Sequence, residues 1–313
     1  SASVLAAALA VAETTGADGA ALTAAFHAGC EIACKLNHAI DQRHYQGGFH
    51  VTATLGVFGA AIAAAKILGL TAGQTGHALT FASSRSAGVR ASFGTMVEHM
   101  AAAGGGFEGG AIAGRLGRPW AIVDPGTSIK PWPNGSLVHP AMTLFAEMIA
   151  AHGLTQDSVK RVTVRTNQRI AGTLIKALPQ DSMQARFSIP FALSVLLIEG
   201  RAGIDAFTDA TVARADIAAT MQRIEHVAYE TVEDGYTNVT TFVEIACKDG
   251  TRHEGRADFA LGSAQAPMSY DDVAGKTHGC AAAANWPEEK TEALIETVAR
   301  IEEVGDIGKL TTL

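Results

Sequence analysis

Residues 45–70 read YQGGFHVTATLGVFGAAIAAAKILGL, and the rest of the chain is organised around this stretch. Gly47 and Gly48 make a tight turn that presents Phe49 and His50. A run follows with almost no charge until Lys66, and Gly69 closes it. Ala, Gly and Val dominate, so the run reads as a helix buried on nearly every side and packed closely against its neighbours. It is too short and too rich in small residues for a membrane span, and no topogenic signal flanks it. An imidazole, His50, is thereby held at the mouth of a central buried helix. From these residues alone it reads equally as a satisfied structural histidine or as a functional group.

The 313 residues suggest about two domains. With 48% hydrophobic and 18% charged residues the chain can bury a large core. A net charge of -7 argues against nucleic acid, which favours basic faces. Cys30, Cys34, Cys247 and Cys280 form no disulfide framework in a chain of this length. Cys30 and Cys34 share a helix face, but no Cys or His pair completes a zinc pattern, so buried thiols and no metal site are expected. The opening SASVLAAALAVAE is apolar but lacks a basic leader region and reads as an amphipathic helix. A cytoplasmic protein is the expectation.

Working outward, residues 3–14 follow a helical pattern, and Asp18 is placed to cap a helix over 19–36. Residues 37–49 read as a loop dense in His38, Asp41, Arg43, His44 and Tyr45, more chemistry than a plain connector needs. Thr71 caps a helix over 72–85 that ends at Arg85. In GVRASFGTMVEHM (88–100), Gly94-Thr95 forms a turn before Glu98 and His99, an adjacent carboxylate and imidazole suited to acid–base work. Residues 101–110, AAAGGGFEGG, read either as a flexible linker or as a place where residues are missing.

The character changes at 126–142, GTSIKPWPNGSLVHPAM. Pro131 and Pro133 hold Lys130 and Trp132 extended, and Asn134-Gly135 makes a turn. His139-Pro140 starts a helix that runs to His152. A lysine, an aromatic and a histidine at a helix N-terminus suit anion binding, although a rigid crossover would look the same. Strands are expected at 159–166, 226–231, 239–247 and 251–258, the last two joined by an Asp249-Gly250 hairpin. Helical patterns occupy 188–200 and 203–224, and a final helix covers 287–304. The fold class expected is mainly α with a smaller α+β domain: residues 1–122 with 268–313 all-helical, and 123–267 α+β.

Several segments, in order, resemble the MmgE/PrpD family. GFHVTATLGVFGAAIAAAKILGL is similar to its GWHxTxTxGxFGAAxAAAKLLGL stretch, SFGTM to its GTM segment, and KPWPNGSLVHPAM to KPYPxCxxxHPAxD. QARFSIPFALSVLLIEGRAGIDAF resembles EAKFSxPYxVAxALxxGRxGLxxF, and APMSYDDVAGK the late NPMSxxELxxKF pattern. The resemblance covers essentially the whole chain. It implies a two-domain fold, usually homodimeric, acting without cofactor on small di- or tricarboxylates. Members include 2-methylcitrate dehydratase, cis-aconitate decarboxylase and iminodisuccinate epimerase.

There are departures. The family pattern has a further helical segment before the point matching Ser1, and a lid after GTM, so the resemblance implies residues missing before Ser1 and near Met100–Gly106. Glu98 stands where the lid lysine would align, and Gly135 where Cys or His is frequent. The expectation is an enzyme that abstracts a proton alpha to a carboxylate at the domain interface. His50, Tyr45 and His99 are candidate catalytic proton carriers. Lys130, Arg85 and Arg90 are candidate carboxylate binders, with His139 binding or orienting. Epimerisation is favoured because it needs no help for a leaving group. A dehydratase- or decarboxylase-like lyase is the alternative, and a catalytically silent metabolite-binding member is a third reading. No nucleic acid, no membrane and no cofactor are expected.

Overall fold

The computed structural model describes residues 2–40, 44, 51–86, 110, 112, 114–174 and 177–313. The fold is mainly helical with a smaller α+β part. It divides into two compact units, Ser1–Thr127 with Glu289–Leu313, and Ser128–Glu288. The domain edges expected from sequence lay at 122 and 268. The second edge moves to 288 because the helix Tyr270–Ala283 packs on the Ile204–Ala206 turn and so belongs with the α+β unit. The glycine patch expected to border missing residues, Met100–Gly106, lies outside the described residues.

Among its described residues the first unit contains α1 (Ala2–Thr15), α2 (Gly19–Ala39), α3 (Val51–Ile67) and α4 (Ala72–Ser86). Local chemistry sets their starts. Asp18 Oδ1 accepts from Ala21 N at 2.7 Å, and Thr71 N donates to Gln74 Oε1 at 2.9 Å. α1 buries Val4, Ala8 and Ala12, a stripe of fourfold spacing. α3 is the central helix, with Thr54, Leu55, Gly56, Phe58, Gly59, Ala63 and Ala65 buried.

The small residues have a steric purpose. A Cβ placed on Gly29 would lie 2.5 Å from the Gly59 carbonyl oxygen, and one on Gly59 2.7 Å from that of Gly29. Either would also strike Val4, so α2 and α3 cross backbone to backbone with α1 wedged against the crossing. The C-terminal segment returns to this unit. Gly19 N donates to Val304 O at 2.7 Å, and Ile307 is buried in the core with Val4 and Leu22. The helix expected over 287–304 spans Glu288–Ala299, and a 3-10 turn at Ile301–Glu303 completes the segment.

In the second unit, β1 (Val159–Thr166), β2 (Ile224–Ala228), β3 (Thr241–Cys247) and β4 (Arg252–Ala257) form one sheet in the order β2-β1-β3-β4. β1 and β2 are parallel, and the other pairs are antiparallel. Gly250, at φ +93°, turns the β3–β4 hairpin, and Thr251 N donates to Asp249 Oδ1 at 2.9 Å. Helix α5 (His139–His152) packs on β3 and β4. Gly255 makes room for it, since a Cβ there would come within 2.9 Å of Leu144. The Ile189–Glu199 helix is buried on all sides from Ile189 to Leu197, with Ser188 capping its start.

Three local readings change. β2 ends at Ala228 rather than 231. The 203–224 pattern breaks into a turn at Ile204–Ala206 and short helices at Asp209–Val212 and Ala215–Met221. Thr208 restarts the chain by capping Thr211 N at 3.2 Å. The Tyr270–Ala283 helix had no counterpart in the sequence reading, although Ser269 and Asp272 form a capping box at its start.

Candidate functional site

The site is built around the strap 128–139 of the second unit. Ile129 N donates to Gly262 O at 2.8 Å, and Gly262 (φ +84°) must be glycine, because a Cβ would sit 1.9 Å from the Ile129 oxygen. Pro131 and Pro133 then keep the backbone extended around Trp132. Lys130 reaches forward along the strap, and its Nζ donates to Asn134 O at 3.2 Å. Gly135 N donates to Arg186 O at 2.8 Å. A 3-10 turn, Ser136–Val138, delivers the chain into α5.

His139 is the pin of this arrangement. It is only 2% exposed, and its Nε2 lies 2.7 Å from Asn134 Oδ1. An amide oxygen only accepts, so the ring donates through Nε2. The Asn134 Nδ2 in turn donates to Met142 Sδ at 3.1 Å, and the Trp132 ring meets the His139 ring edge-on at 5.5 Å. Burial lowers the His139 pKa to about 4, helped by the positive charges of Lys130 and Lys276. At neutral pH His139 is an uncharged donor that fixes Asn134. Binding or orienting was expected of it; what the fold shows is the buried ring holding Asn134.

The anion-binding role expected of the α5 N-terminus is not realised there. His139, Pro140, Ala141 and Met142 are all buried and Pro140 has no N–H, so the first turn does not open to a ligand. The exposed cation of the strap is Lys130, carried on the backbone before the helix.

In the first unit, the start of α3 is tied to α4 and to His44. Ser86 Oγ donates to Thr54 O at 2.5 Å, and His44 Nε2 lies 2.9 Å from Thr54 Oγ1. His44 is buried, 2% exposed. His38, expected in a loop, lies in α2, which continues to Ala39. Arg85 is exposed at the end of α4 with its guanidinium 5.7 Å from the Phe81 ring centroid. His50, Tyr45, His99 and Arg90 lie outside the described residues.

Sequence reasoning missed Glu31 and Lys35 of α2. Glu31 accepts from Gly117 N at 2.7 Å and Ala121 N at 2.6 Å, while Lys35 donates to Pro119 O at 3.2 Å and lies 3.8 Å from Glu31. The pair fastens the 117–121 segment to the central helices. Of the cysteines expected to be buried, Cys30 and Cys247 are, Cys34 is half-buried and Cys280 is exposed. Burial raises the thiol pKa of Cys30 and Cys34, which stay protonated.

Family models match in both units: the MmgE/PrpD N-terminal domain over residues 1–114 and the MmgE/PrpD C-terminal domain over residues 132–303. The chain belongs to the MmgE/PrpD family. Its similarity to cis-aconitate decarboxylase of Homo sapiens is 23% identity over 341 residues, covering 94% of this chain and 69% of that protein. The Mus musculus cis-aconitate decarboxylase gives 23% identity, covering 94% of this chain and 68% of its own length. An alignment of 341 positions exceeds the 313 residues present, so it opens gaps in this chain.

The MmgE/PrpD C-terminal match begins at Trp132, inside the strap that Lys130, Asn134 and His139 hold together. Among the described residues no group of three or more His, Cys, Asp or Glu is arranged to hold a metal ion, and no helix is long and apolar enough to cross a membrane. Asn134 was read from sequence only as half of an Asn-Gly turn. Its side chain is what links His139 to the strap, a role that spacing alone does not reveal.

Proposed function

We propose that this chain is a cofactor-independent enzyme, acting as a homodimer, that makes or breaks a bond beside a carboxylate of a small di- or tricarboxylate. The observation that carries the reading is the His139–Asn134–Lys130 arrangement: a buried neutral imidazole fixes an amide whose backbone oxygen holds an exposed ammonium in place. An ammonium preset in this way meets a carboxylate without first losing its own freedom. Membership of the MmgE/PrpD family and the named decarboxylase relatives support a lyase as the first reading. Epimerisation is the second, favoured by Glu98 at the position of the lid lysine in the family pattern, which removes a cation that bond cleavage would use.

The test is proton NMR of the protein in deuterated water with a panel of di- and tricarboxylates, cis-aconitate included. Loss of a substrate with appearance of a decarboxylated or dehydrated product supports the lyase. Washout of an alpha proton with no net product supports the epimerase. Neither change, across the panel, rejects both in favour of a silent binding protein.

Two variants divide the roles. His50→Asn is expected to cut turnover by about two orders of magnitude, the typical worth of one general acid or base. Lys130→Met is expected mainly to raise KM, because it removes an interaction made alike in ground and transition states. Full turnover in the His50 variant, or a fall confined to kcat in the Lys130 variant, would contradict those assignments.

A further inference from the structure

Arg186 presents an unanswered donor. Its Nε is buried and has no hydrogen-bond partner among the described residues. Leaving a buried donor unpaired costs about 1–3 kcal/mol, so its persistence calls for a reason. Two other arginines of the same unit are paired. Arg223 donates to the carbonyls of Gln156 and Val159 at 3.0 and 2.7 Å, and Arg214 to Asp216 at 2.7 Å.

The position of Arg186 links it to the strap. The peptide unit between Asn134 and Gly135 is held from both ends: its oxygen accepts from Lys130 Nζ, and its N–H donates to the Arg186 oxygen. Contact across Gly135 is close. A Cβ there would meet Phe187 Cδ1 at 3.1 Å and the Arg186 oxygen at 3.3 Å, so the Arg186–Phe187 turn lies directly on the strap. Phe187 is 45% exposed, and the edge of its ring lies against Gly135 of the strap. Among the described residues neither Lys130 nor Arg186 has a carboxylate partner.

We propose that Arg186 is a substrate-binding residue that takes one carboxylate of a dicarboxylate while Lys130 takes another, with the Phe187 ring against the carbon chain between them. The inference rests on the reading of this strap as a carboxylate site and deepens it. The ligand must carry two carboxylates a few carbons apart, and a monocarboxylate of equal length fills only half the site. A guanidinium is suited to the task, since it offers paired donors to a planar carboxylate.

The test is calorimetric titration of the full chain with succinate and with butyrate, alongside Arg186→Met and Arg186→Lys. Wild type is expected to bind succinate about tenfold or more tightly than butyrate, the worth of one charge-assisted contact. Arg186→Met should lose that preference while its thermal midpoint holds or rises, because the buried donor is gone. Arg186→Lys should regain part of the preference. A purely structural arginine would instead lower the midpoint in Arg186→Met and leave the preference intact, which overturns the inference alone. If wild type binds neither acid, the carboxylate reading of the strap falls, and this inference with it.

Discussion

Glu31→Ala is expected to destabilise the helical unit by about 3–5 kcal/mol, the usual cost of breaking a buried ion pair from one side. The Glu31 side chain is 4% exposed and Lys35 11%, so removing the carboxylate leaves a buried ammonium with, among the described residues, the Pro119 carbonyl as its partner. It also strips the acceptors from Gly117 N and Ala121 N. Those amides belong to a segment 86 and 90 residues along the chain, so the loss is of tertiary structure and not of α2 itself. Urea unfolding measures the energy, and hydrogen exchange at Gly117 and Ala121 locates it. The double variant Glu31→Leu, Lys35→Met should recover part of the loss, since no lone charge then remains inside. A shift below about 1 kcal/mol in the single variant would place this pair with exposed ion pairs in energetic weight.

The second large effect is a dependence of stability on pH. His139 titrates near 6.5 when unfolded and at about 4 when folded. Above 6.5 both states are neutral and the residue contributes no slope. As pH falls from 6.5 towards 4, the unfolded chain takes up a proton that the folded chain refuses, so stability falls with pH through this window. The total penalty is about 3 kcal/mol, complete once pH passes below the folded value. Comparing wild type with His139→Gln between pH 7 and 4 isolates the term, because the other titrating groups cancel. Wild type should lose stability relative to the variant on acidification; a flat difference curve would mean that His139 is charged, or exposed, in the folded state. The same burial that creates the penalty keeps the imidazole neutral at pH 7, where it holds Asn134 and through it the Lys130 strap.

Much of the secondary structure was legible because its causes are local. Asp18, Thr71 and Ser188 mark helix starts with their own side chains, and Gly153 and Gly200 end helices at positive φ. The Asp249-Gly250 turn brings β3 and β4 into register within a few residues. The run of small residues around Gly59 announced close helix packing, and the ordered motifs along the chain pointed to the MmgE/PrpD family. Where the pattern misled, it was still local: a helical period over 203–224 does not show that Thr208 restarts the chain.

What only tertiary structure decided were matters of burial and of long-range partnership. A histidine before a proline looks the same in sequence whether it faces substrate or core. Packing in the second unit buries His139 and sets its ring against Asn134. Glu31 and Lys35 are buried and paired only once the 117–121 segment folds over them. Arg186 gains its interest from an unpaired buried nitrogen that no motif encodes. The capping box at Ser269 can start a helix but cannot say which unit receives it; contact with Ile204–Ala206 does. Short-range hydrogen bonds and periodicity are written in neighbouring residues, whereas desolvation and charge pairing depend on which distant segments meet.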